Sequence, residues 1–111
     1  MGKKAVVLMP DTLEILKQLG EQIKEARLRR ELSAELVAER ASVSRATVWA
    51  VEKGLASVSI GSYAAILHAI QGMDKDLLLV ADDERLRRSF SEMGRKNKER
   101  APRSNFRRGN T

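Results

Sequence analysis

A chain of 111 residues, 42% hydrophobic and with a net charge of +6, has room for one small domain with tails. It contains no cysteine and one histidine, His68, which excludes a disulfide framework and a thiolate metal site and leaves too few ligands for an ordinary zinc site. No apolar run approaches the roughly 20 residues of a membrane span, and the start MGKKAVVLMPD has too short an apolar run and no cleavage site for a secretion signal, so a cytoplasmic protein is expected.

The first ten residues read as an N-terminal arm. Within it AVVLM is β-prone, but a five-residue strand is not stable alone. It is either an unstructured arm or a strand that pairs with a partner edge or with its own copy in a dimer. Asp11 with Glu14 three residues later has the spacing of a capping box, with Asp in the Ser/Thr role. From there Leu13, Leu16, Leu19, Ile23, Ala26 and Arg30 recur at three or four residues, one face of a long helix ending near Glu31. Ser33 is placed to cap a short second helix with Val37, Ala38 and Ala41 on one side. The triplet SVS, residues 42–44, breaks it, and Ser44 caps a third helix through Lys53, with Gly54 as a left-handed stop. Ser59 caps a fourth helix, IGSYAAILHAIQ, ended by Gly72, and Asp74 to Ala81 form a fifth element.

These elements define a domain over 11–81, a short amphipathic helix over 82–93, and a basic tail over 94–111 with seven basic residues, one acid and no periodicity, which is expected to be disordered. The charge follows the same division. Residues 11–81 carry nine basic and ten acidic side chains, whereas residues 82–111 carry ten basic and five acidic. The positive excess therefore sits on the ends, where it suits a polyanion or serves solubility.

Two short helices with a tight turn, ELVAERASVSRATVWAVEKG (helix-turn-helix 33–53), have the parts of a helix-turn-helix. Ala38 is small where the second helix crosses, Val43 fills the angle of the turn, and Val48 and Val51 hold the second helix down. Its outer face is then free to enter a DNA groove. An exposed Trp on such a helix, Trp49, is unexpected.

The run LGEQIKEARLRRELSAELVAERASVSRATVWAVEKG, with the following helix and MDKDLL, resembles the lambda-repressor-like family, also called Cro/C1 or Xre helix-turn-helix domains. The resemblance covers residues 19–78 and implies an all-α, five-helix DNA-binding domain. Carried over, the base-facing positions are Arg45, Ala46, Trp49 and Ala50; Ser44 and Thr47 stand where the family touches phosphates or bases, and Lys53 lies at the phosphate-facing end. Arg45 suits guanine O6 and N7, and Ala46 and Ala50 suit thymine methyls. Trp49 would pack on thymine methyls or sugar, or else against the first helix or a dimer mate. Arg27 and Glu52 occupy positions of an ion pair joining the first and third helices, the alternative being two solvated charges. Two departures stand out: Ala34 replaces the family's usual Gln, and Glu31 stands where Gly is preferred, at a cost of about 1 kcal/mol if held left-handed.

The extension KGLASVSIGSYAAILHAIQGMDKDLLLVADDERLRRSF is similar to the small HipB-type antitoxins that neighbour HipA-type serine/threonine kinases. That resemblance implies a homodimeric, nucleoid-associated repressor of a toxin–antitoxin operon, bound to a palindromic DNA operator and to a kinase partner. Leu77, Leu78, Leu79 and Val80 are the surplus of aliphatics for the dimer surface, since four consecutive side chains at 100° steps cannot all face one core. A stand-alone Xre-type repressor is the alternative, and a basic RNA-binding protein acting through its tail a further one. No nucleophile–base pair, metal set or phosphate loop points to an enzyme, and no cofactor or metal is expected.

Overall fold

The computed structural model describes residues 6–84, which hold four α-helices and one 3-10 helix and no strand. Among the described residues, those through Leu77 form one compact unit, and Leu78 to Glu84 belong to a second. The short helix expected over 82–93 and the basic tail over 94–111 lie outside the described residues, save Asp82 to Glu84. So does the start of the N-terminal arm, of which Val6 to Met9 adopt no regular structure.

Helix α1 spans Pro10–Arg29, with Met9 as N-cap and Pro at its first position. Proline is suited there because its fixed φ is helical and its missing N–H would have no partner anyway. This corrects the capping-box expectation: Asp11 lies inside the first turn and no side chain caps the helix. Its carboxylate still complements the positive end of the helix dipole. The apolar face is buried only from its middle onward. Leu13 is exposed, Leu16 and Leu19 are half-buried, and Ile23 and Ala26 are in the core.

The next three helices begin as the serines suggest. Ser33, Ser44 and Ser59 each accept a hydrogen bond from the backbone N–H three residues on, at 3.0, 3.0 and 3.1 Å. They open α2 (Ala34–Ala41), α3 (Arg45–Glu52) and α4 (Ile60–Ala69). Such caps satisfy one of the N–H groups that a helix start leaves without a partner.

The first three helices end by one device. After α1 the N–H groups of Glu31 and Leu32 reach back to Leu28 and Arg27; after α2 those of Ser42 and Val43 reach Glu39 and Ala38; after α3 those of Gly54 and Leu55 reach Val51 and Ala50. This is the Schellman pattern, which needs one left-handed residue. Only α3 supplies a glycine for it, Gly54 at φ 71°, while Glu31 and Ser42 adopt φ 56° and 59°. The first and second helices thus absorb left-handed strain of about 1–2 kcal/mol each.

The core is aliphatic: Ile23 and Ala26 of α1, Val37 and Ala38 of α2, Val48 and Val51 of α3, and Ile66, Leu67, Ala69 and Ile70 in and just after α4. Tyr63 is its aromatic member, and its hydroxyl donates to the Leu55 carbonyl at 3.0 Å, pinning the α3–α4 loop. Burial raises the Tyr63 pKa above its ordinary value. The fifth element is a 3-10 helix over Met73–Leu79 rather than a segment from Asp74 to Ala81. Met73 and Leu77 pack on the core, and Leu78, Leu79 and Val80 are exposed. His68 is an exposed residue whose Nδ1 lies 3.3 Å from the Asp74 carboxylate. No helix among the described residues is long and apolar enough to cross a membrane.

Candidate nucleic-acid interface

Helix α3 is divided by its own periodicity. Val48 and Val51 are wholly buried beneath it. On its outer side Ser44, Arg45, Ala46, Trp49 and Lys53 are exposed, and Thr47 and Ala50 are half-buried. The Ser44 and Thr47 hydroxyls lie 3.0 Å apart, so the start of the helix carries a paired hydroxyl edge. Among the described residues no side chain holds the Arg45 guanidinium, whose donors remain available to a ligand.

Two contacts fix α3 on α1. The Arg27 guanidinium meets the Glu52 carboxylate through two parallel bonds, Nε to Oε2 at 2.6 Å and Nη2 to Oε1 at 3.1 Å, and its Nη1 donates to the Leu32 carbonyl at 3.0 Å. The two side chains are only 10% and 9% exposed, so the pair is nearly dry and geometrically tight. About two turns earlier on α1, Gly20 lies against the same end of α3: a methyl there would stand 2.7 Å from the Val51 and Glu52 carbonyl oxygens and from the Gly54 nitrogen. The backbones touch, which only a glycine permits.

Trp49 lies neither in the core nor clear of α1. It is 58% exposed, and the Lys53 ammonium sits 5.7 Å from its ring centroid, within cation–π range. Shallow depressions of about 320 and 610 Å³ flank it. The first is lined by Lys17, Glu21 and Lys24 of α1 with Lys53, and the second by Lys24, Ser33, Arg45 and Ala46. Lys17, Lys24 and Gly20 were not legible as site residues. A glycine in mid-helix, and two lysines seven residues apart on one face, were the signals available.

A short helix with a buried inner face, a capped and polar outer face, and a rigid mount is the arrangement of a helix-turn-helix DNA-binding domain. A family model described as a helix-turn-helix domain matches residues 18–79, more than half of the chain. The chain belongs to that family, one of DNA-binding regulators. No curated protein matches it.

Proposed function

We propose that this protein is a sequence-specific transcriptional repressor that reads a palindromic operator with α3 and serves as the HipB-type antitoxin of a toxin–antitoxin pair. The observation that carries the DNA reading is the partition of α3, with Val48 and Val51 fully buried while Arg45, Ala46 and Trp49 face solvent. Arg45 donates to guanine O6 and N7, Ala46 and Ala50 meet thymine methyls, Ser44 and Thr47 contact phosphates or bases, and Lys53 contacts phosphate. Trp49 gives apolar contact to the groove wall. Two copies joined through Leu77 to Val80 set two α3 helices about one turn of DNA apart, roughly 34 Å.

The antitoxin role rests on the likeness of residues 53–90 to HipB-type proteins. Exposed apolar side chains at Met9, Leu13 and Ile15 add support, because a DNA-binding face does not use them and a protein partner would. The partner is then a HipA-type kinase, and the complex represses its own operon in the cytoplasm. Selection of bound duplexes from a random pool, with co-purification against the product of the adjacent gene, tests both parts. A palindromic consensus and a stoichiometric kinase support the reading. A consensus without a kinase leaves a stand-alone Xre-type repressor, and RNA bound through residues 94–111 in place of duplex DNA contradicts it.

A further inference from the structure

We propose that Lys17 and Lys24 of α1 form a second contact to the DNA phosphate backbone, beside the recognition helix and bracketing Trp49. This rests on the DNA-binding reading above and deepens it. The two lysines are seven residues apart, hence on the same side of α1 and separated by about 10 Å along its axis. Both are exposed, and both line the depressions that flank Trp49, Lys17 with Lys53 and Lys24 with Lys53 and Arg45.

Their position is not a by-product of composition, because residues 11–81 carry one more acid than base. Of the nine basic side chains there, Arg27 is held by Glu52 and Arg29 pairs with Glu25, while Arg30 donates to Gln71 and to the Ala26 carbonyl. The other six have no ion-pair partner among the described residues, and while Arg40 and Lys75 lie elsewhere, Lys17, Lys24, Arg45 and Lys53 all line the depressions beside Trp49. Glu52, the one acid deep in this surface, is neutralised by Arg27. Four cations on one face of a near-neutral domain create a local positive field that a phosphate strand fits. Two exposed acids oppose them, Glu21 between the two lysines on the same face and Glu35 in the depression shared by Lys24 and Arg45.

The geometry therefore fixes the sign of two substitutions. Binding of the full chain is followed by fluorescence anisotropy over a salt series, on a duplex selected by the wild-type protein and on a scrambled duplex. For Lys17→Gln/Lys24→Gln, the slope of log affinity against log salt falls by about 0.9 per lost contact, nearly two units per bound chain. The loss is equal on both duplexes, since phosphates carry no sequence information. Glu21→Gln tightens both by a similar factor. Wild-type binding with an unchanged slope in the double lysine variant overturns the α1 contact and leaves the DNA-binding reading in place. A wild-type chain that selects no duplex from a random pool and binds none at low salt overturns both. All three side chains are exposed, so the variants melt at the wild-type temperature.

Discussion

Gly20 of α1 and Gly54 after α3 are in backbone contact, and a methyl group on Gly20 would stand 2.7 Å from the Gly54 nitrogen. The C-terminal end of the recognition helix is thus seated twice on α1, by main chain on main chain at Gly20 and by the Arg27–Glu52 pair. Gly20→Ala has nowhere to place its Cβ except by pushing α3 away. We expect a loss of about 3 kcal/mol, the upper range for overpacking, read from the urea midpoint. Alanine is normally the better helix former by about 1 kcal/mol, so a stabilised variant would show that the helices are not this close.

Arg27→Met leaves the Glu52 carboxylate nearly buried without its partner, a defect that costs about 3–5 kcal/mol. Arg27→Met/Glu52→Leu removes both charges and should recover most of that loss, because two apolar side chains need no desolvation. The urea midpoints of the single and double variants give the comparison. Equal destabilisation by the two would mean that packing volume matters here and charge does not.

Glu31→Gly relieves a left-handed residue with an exposed side chain at the end of α1. The gain from relief, about 1–2 kcal/mol, exceeds the extra flexibility of an unfolded glycine, about 0.5–1 kcal/mol. A net gain of about 0.5–1 kcal/mol should raise the melting temperature by roughly 2–8 °C. A lower melting temperature would place Glu31 in an unrecognised favourable contact.

The sequence reading succeeded where a local rule has one physical outcome. Ser33, Ser44 and Ser59 cap helices because a hydroxyl before an apolar-periodic run has few better uses. The inner residues Val37, Ala38, Val48 and Val51 followed from the same periodicity. It failed where a rule competes with a neighbour. Asp11 has the spacing of a cap, but Pro10 sets the helix start two residues earlier, with Met9 as the cap, and leaves that carboxylate inside the first turn. The stops after α1 and α2 use Glu31 and Ser42 in a conformation that glycine would signal. At the interface, α3's outer residues came from family resemblance, whereas Lys17 and Lys24 come from how α1 crosses it, which no local pattern encodes.

Leu78 and Leu79 carry the proposed dimer surface. Leu78 is 80% exposed, and Leu77 of the same run packs on the core. Leu78→Asp and Leu79→Asp should each shift sedimentation from dimer toward monomer and weaken operator binding, with little change in helix content. Dimers persisting in both variants would place the interface elsewhere.

Arg45 bears the sequence reading most directly. It is the one long, two-pronged donor among the proposed base-facing side chains, since Ala46 and Ala50 donate nothing and Trp49 has a single N–H. The measurement is binding, at fixed salt, to a palindromic site selected from a random pool and to each of its single-base variants. Arg45→Ala should cost about 1–3 kcal/mol per half-site and erase preference at one guanine alone, whereas Lys53→Ala should weaken all variants equally. Uniform weakening of every site by Arg45→Ala would make Arg45 a phosphate clamp and contradict the account.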